Sequence, residues 1–342
     1  MGEAVNSQIL VSVLMPVYNA ETHLREAIDS ILKQTYQHLE FVIVNDGSTD
    51  GSEDIILSYK DPRIRLLVNP ENKGLIYSLN YGIAACKGTY IARMDADDTC
   101  LPERLAEQLA FMEQHLEIGV CGCDYTQFSA SGEQSFRALS VHDEILSQMI
   151  FNSSVVHPSL MLRRSVLQNF DPVFNPGYHH SEDYELWSRL ILHTRFSAVH
   201  RVLFRYRIHA AQVTQKHSEQ QQLSASRVRK ELLGKLGFSY TEEEVGLLSQ
   251  MAAHRLFDQK DQLDLLEQFL EKLIAQNDQS GRIEPDIFKK VLSYKWYTAC
   301  GYTTLGLWAF FKYRKSRLGK YHPQSSLKLL AKCLLRQWRK RV

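Results

Sequence analysis

No stretch of this 342-residue chain reaches the ~18 consecutive apolar residues that span a bilayer. The N-terminus lacks a basic segment followed by an apolar core, so no secretory leader is expected. The sequon-like Asn152-Ser153-Ser154 then carries no weight, and a cytoplasmic protein is the expectation. Among the six cysteines only Cys121 and Cys123 are close, and no second pair completes a zinc set. Buried or free thiols in a reducing compartment follow. The formal net charge of +1 gives no global attraction to nucleic acid. Acidic residues are missing altogether after Asp286, while Lys and Arg accumulate towards the C-terminus. No internal repeat or low-complexity tract stands out.

With 44% hydrophobic and 23% charged residues, the composition is that of an ordinary globular protein, long enough for one large domain and a smaller one. The first part alternates strand and helix signals. "ILVSVLMPVY" reads as a buried strand ending at Pro16. Leu24, Ala27, Ile28, Ile31 and Leu32 follow at helical spacing. "EFVIVND" and "RIRLLV" are further strands, "GLIYSLNYGIAA" a helix, and "TYIARM" a fourth strand. Pro102 suits the first turn of the helix "PERLAEQLAFMEQH". "IGVCGCDYTQF" is another strand and "GEQSF" a loop or hairpin. A helix over "SEDYELWSRLILH" and a strand over "RVLFRYRIH" complete the set. This order predicts an α/β fold with a mainly parallel sheet and helices on both faces over residues 1–211, then a helical region over 212–342. Ligands of such sheets bind beyond the carboxyl ends of the strands. There lie "PVYNA", "NDGSTD" and "MDADD", which should line one crevice.

Each cluster has a chemical and a plain reading. Residues two apart on an extended chain point the same way, so Asp95 and Asp97 converge on one divalent ion. A bare D-x-D is also what an acidic turn ahead of a helix looks like. Asp46 at a strand tip can accept from a base N–H, or simply serve a turn. Tyr18 can pack its ring on a nucleobase, or sit half-buried at the sheet rim. Asn72, Lys73 and Gly74 precede a helix whose N-terminus can approach an anion or a base edge. Asp183, Leu186, Trp187, Leu190 and Ile191 share one helix face, which puts Asp183 inward and Glu182 elsewhere. An inward carboxylate is costly unless paired or used. Ser181 is the expected N-cap. His157 and His209, each a lone histidine, read first as surface or packing residues and only second as functional ones.

Together these residues resemble the family-two glycosyltransferases of GT-A fold. The match runs from about Leu10 to Thr214 through "VLMPVYNAETHLREAIDSILKQTY", "FVIVNDGSTDGS", "NKGLIYSLNYGIAACKGTYIARMDADD", "EDYELWSRL" and "YRIH". The resemblance implies that Pro16, Tyr18 and Asp46 hold the nucleoside, with Asn72, Gly74 and Arg93 nearby and Asp95 on the ribose. It implies a Mn²⁺ or Mg²⁺ ion at Asp97 and His209, donor support from Asp98, and Asp183 as catalytic base. A "QxxRW" signature is absent, which favours transfer of one sugar over polymer synthesis. The expected reaction is inverting transfer from a nucleotide-sugar, a UDP-sugar, to the hydroxyl of a sugar or lipid-linked acceptor in bacterial surface polysaccharide or glycolipid synthesis. A nucleotidyltransferase would need a Gly-rich basic loop after the first strand, where "PVYNAETHL" stands. A catalytically silent binding module is the other alternative.

The C-terminal tail "SLKLLAKCLLRQWRKRV" sets Leu327, Leu329, Leu330, Leu334 and Leu335 near helical spacing, with Lys328, Lys332, Arg336, Arg339, Lys340 and Arg341 among them. Such a helix fits a peripheral contact on an anionic membrane, or a terminal helix docked on the protein.

Overall fold

The computed structural model describes residues 9–208, 218–321 and 323–339. The chain divides into two compact units. The first comprises Met1–His142 and Val155–Ser218; the second comprises Asp143–Ser154 and Glu219–Val342.

The first unit is built on one sheet of nine strands. Strands β1 (Val11–Val17), β2 (Leu39–Asp46), β3 (Ile64–Asn69) and β4 (Tyr90–Arg93) are all parallel, in the spatial order β3-β2-β1-β4. Beyond β4 come β8 (Met161–Arg163), β6 (Ile118–Ser129), β9 (Arg195–Arg207) and β5 (Thr99–Cys100). β8 runs antiparallel to β4 and β6, while β9 is parallel to β6. β7 (Gly132–Phe136) pairs with β6 as a hairpin. The mixed, mainly parallel α/β fold is therefore the one the strand–helix alternation predicts.

All seven residues of β1 are buried, as befits a strand covered on both faces. Helix α1 (Leu24–Leu32) has a strong apolar stripe: Leu24, Ala27, Ile28 and Ile31 are fully buried with Val13, Met15 and Phe41 in one core cluster. The crossover helices α2 (Ser52–Ser58) and α3 (Leu75–Ala85) join β2 to β3 and β3 to β4. Helix α4 (Arg104–Gln114) begins two residues after Pro102, which lies in the preceding turn. Strand β1 ends at Val17, one residue past Pro16.

Three elements have no counterpart in the sequence pattern: β5, β8 and helix α5 (His142–Met149). The two strands are two and three residues long. That is too short to show an alternation, and only their partners define them. Helix α6 (Glu182–Leu190) leads into β9.

In the second unit the described residues past α6 are helical: α7 (Ser218–Lys235), α8 (Glu242–Ala252), α9 (Lys260–Ser280), α10 (Pro285–Gly301), α11 (Leu307–Lys315), α12 (Leu318–Tyr321) and α13 (Ser326–Arg339). Thr241 caps α8 in a reciprocal pair with Glu244, and Glu284 caps α10. Phe269, Leu273, Phe288, Leu292 and Trp296 fill the interior. No helix among the described residues is long and apolar enough to cross a membrane. None of the six cysteines is in a disulfide, and all six are buried.

Candidate active site

The carboxyl ends of β1, β2 and β4 adjoin one another because β1 pairs with both neighbours, with Pro16 in register with Val44 and Leu14 with Arg93. The loop after β1 is tied to the loop after β2. The amide of Asn19 donates to Ser48 Oγ (3.0 Å), Thr49 N to Asn19 Oδ1 (2.8 Å) and Ala20 N to Ser52 Oγ (2.9 Å). Pro16 is buried within β1, and Tyr18 beyond it is 48% exposed.

Asp46 ends β2 and is 3% exposed. Its Oδ1 accepts from Asn69 Nδ2 (2.7 Å) and Lys73 N (3.0 Å), and its Oδ2 from Gly74 N (2.9 Å). Asn72 Oδ1 accepts from the same Gly74 amide at 2.9 Å. Asp46 thus orders the turn that starts α3. Gly74 has φ +89° and ψ 158°, a region open essentially to glycine alone. Gly47, at φ +66°, passes so close to the same turn that a Cβ would stand 2.4 Å from the Glu71 carbonyl carbon. Asp46, Asn72 and Gly74 form one hydrogen-bonded group.

β4 ends at Arg93, and Asp95 to Asp98 lie in a turn, not on an extended strand. The alternation that brought Asp95 and Asp97 to one side therefore does not apply. The turn itself converges the acids and adds a third. Oxygen atoms of Asp95, Asp97 and Asp98 all lie within 4.8 Å of one another. Asp98 is 1% exposed; its Oδ1 accepts from Arg207 N at 2.7 Å, while its Oδ2 is buried with no partner. Burial, then the charges of Asp95 and Asp97, hold the Asp98 carboxyl well above the usual range. Desolvation raises Asp95 as well, with Arg93 opposing and Asp97 adding to the shift. Three crowded carboxylates with one orphaned oxygen fit a divalent cation. His209 lies outside the described residues.

Arg93 is 5% exposed and ion-pairs with Asp95. It lines a cavity with His157, Phe174, Leu186 and Trp187. Arg93 Nε, His157 Nε2 and Trp187 Nε1 are buried there without hydrogen-bond partners. Burial first, and then the Arg93 charge, keep the His157 ring well below its usual basicity.

Asp183 stands on the first turn of α6, half-buried, with Oδ1 accepting from Tyr184 N at 2.7 Å. Desolvation raises its carboxyl; the Tyr184 amide and Arg93 oppose this, and Asp95 adds to it. Asp183 therefore feels both the cation and an acid of the β4 turn. The two acids depart from expectation: Asp183, expected on the inward stripe, is the less buried of the pair, while Glu182, expected off it, is 9% exposed; for Glu182 the surroundings decide. Burial, then Asp183, pushes it up to about 7. Helix periodicity assumes that one side of the helix is wet, and the first turn of α6 is enclosed beyond its apolar stripe. Ser181 occupies the N-cap position without a side-chain capping bond.

Two residues escaped the sequence reading. Arg207, the last residue of β9, sends its backbone amide to Asp98 Oδ1 and its Nε to the Asp97 carbonyl, each at 2.7 Å. It also pairs with Glu26 and covers the Phe128 ring. Burial, and then the charges of Asp95, Asp98 and Asp97, raise the phenol of Tyr206. Both stand in the "YRIH" stretch, just ahead of His209.

Known proteins resemble this chain in sequence and in fold. The sequence profile described as glycosyl transferase family 2 matches residues 12–170. An uncharacterized glycosyltransferase of Haemophilus influenzae is 32% identical over 236 residues, 65% of this chain and 72% of the relative. The putative glycosyltransferase EpsE of Bacillus subtilis is 36% identical over 195 residues, 54% of this chain and 68% of EpsE. Among solved structures, residues 1–349 of S. aureus TarS in complex with UDP superpose with a TM-score of 0.56 at 18% identity, over 84% of this chain and 87% of that one. That likeness concerns the fold. The profile match and the length of the shared sequence place this chain in glycosyltransferase family 2.

Proposed function

We propose that the enzyme transfers one sugar, with inversion, from a UDP-sugar to an acceptor hydroxyl. The observation that carries this reading is the convergence of Asp95, Asp97 and Asp98, with Arg93 ion-paired to Asp95. The shared fold with TarS, which has been solved with UDP and with UDP-GlcNAc, supports a uridine donor.

In this reading Tyr18 and Pro16 flank the nucleoside, and the Asp46–Asn72–Gly74 group shapes its pocket. Asp95 reaches the ribose. Asp97 and Asp98 would hold Mn²⁺ or Mg²⁺, with His209 as a further ligand, and the ion would supply Lewis-acid neutralisation of the departing diphosphate. Arg93 holds Asp95 in place through their ion pair. Asp183 accepts the proton of the acceptor hydroxyl as that oxygen attacks the anomeric carbon from the face opposite the diphosphate. Fixing the two reactants in line contributes much of the remaining acceleration. The acceptor is a sugar or a lipid-linked sugar of the bacterial surface, made on the cytoplasmic side.

The test is release of free nucleoside diphosphate from a panel of nucleotide-sugars and acceptors. The Asp183→Asn variant is expected to bind donor normally and to lose transfer by ~10² or more, the range of general-base removal. Near-normal turnover would move the base elsewhere, and pyrophosphate as product would replace the reaction class.

A further inference from the structure

Helix α13 has two apolar sides. One is docked: Leu329 and Cys333 are fully buried. The Cys333 thiol donates to the Cys300 carbonyl at 3.5 Å. The other side is bare: Leu327 is 80% exposed, Leu334 46% and Leu335 64%. At ~100° per residue these three leucines share an arc of about 100°, opposite Leu329 and Cys333. Helix α11, which packs against α13, adds Leu307 and Phe311, one turn apart and both exposed. Single exposed leucines are ordinary, whereas several on one helix face mark a contact surface.

Charge narrows the partner. From Lys312 to Val342 the sequence has eleven Lys and Arg and no Asp or Glu. Arg314, Lys315, Arg317, Lys320 and Lys328 are exposed. A second copy of the chain would set this positive surface against itself. Nucleic acid would leave the leucine arc without a partner. An anionic bilayer accommodates both, with leucines at the acyl boundary and basic side chains among the headgroups. We infer that the outward face of α13 docks on an anionic lipid surface. Docking would bring the enzyme to a lipid-linked acceptor, a use that rests on the transfer proposed above; the docking itself does not.

The test is co-sedimentation of the full chain with phosphatidylcholine vesicles, with and without phosphatidylglycerol. Binding is expected only with phosphatidylglycerol and should fall as salt rises. A variant carrying Leu327→Ser, Leu334→Ser and Leu335→Ser leaves the docked side intact. It should partition at least ~10-fold less, with circular dichroism and UDP binding unchanged. Equal binding by that variant, equal binding to neutral vesicles, or no binding to anionic vesicles at low salt would each overturn the inference. So would a dimer in sedimentation velocity that the variant dissolves. Loss of UDP binding by the unmodified chain would count against the proposed transfer and leave the vesicle result standing.

Discussion

Asp97 and Asp98 are adjacent but differently held. Asp98 keeps one oxygen on the Arg207 amide and the other buried, whereas Asp97 is engaged through its backbone carbonyl by the Arg207 side chain. Arg207 therefore anchors the loop through the Asp98 carboxylate and the Asp97 carbonyl. Asp97→Asn is expected to fold normally and to weaken UDP binding in the presence of Mn²⁺ by at least ~10-fold, the scale of perturbed metal sites. Calorimetry with and without Mn²⁺ reads this directly, and an unchanged metal dependence would remove Asp97 from the ion. Glu182 yields a second expectation. Its carboxyl is raised from the ordinary 4.5 to about 7, so the folded state binds the proton more tightly than the unfolded chain. The stability this confers is complete below about pH 4.5 and is lost as pH rises through about 7. Glu182→Gln removes that slope. It should gain on the unmodified protein above pH 7 by up to ~3 kcal/mol. Denaturant melts at pH 5 and pH 8 measure the difference; parallel pH profiles for the two proteins would show that Glu182 is ionised at no cost.

Elements differ in how plainly they can be read from sequence. β1, β2 and α1 follow directly from apolar runs and a clean helical stripe, because burial on one or both faces is written into residue type. β5 and β8 exist only through their neighbours, so no local pattern announces them. The acidic turn lies between these cases: its residues were legible, but its shape was not, since a strand of unknown end cannot say which side chains converge. Arg207 was missed for the same reason. Its role depends on β9 passing the β4 turn, a meeting of residues far apart in sequence. The start of α3 shows a loop and a helix acting as one element, with Asp46 holding the Lys73 and Gly74 amides. Gly74→Ala forces a side chain into a glycine-only conformation, at ~1–3 kcal/mol. It should lower stability by that amount and weaken UDP binding together with it. A variant that melts at the unmodified temperature would mean the turn relaxes without strain.

At the scale of the whole chain, a pattern of strands and helices was enough to find the α/β unit, whereas the inward position expected for Asp183 is only half realised, since it is half-buried beside a buried Glu182. Sequence gave no comparable purchase on Glu182, because enclosure of a helix's first turn is a property of the chain around it. Nor did it show that Asp143–Ser154 belongs with the C-terminal helices. There Phe151 accepts from Arg229 Nε through its carbonyl at 2.7 Å and lies under the Lys295 ammonium. That segment makes the second unit discontinuous. A single cut near Ser218 would not yield two whole modules: one fragment would carry an unsupported stretch, and the other would lack a piece of its own interior. Exchange of C-terminal regions between relatives, in the laboratory or over evolutionary time, must therefore carry these twelve residues along, so the inserted segment should vary in step with the helices it joins and not with the sheet that surrounds it in sequence.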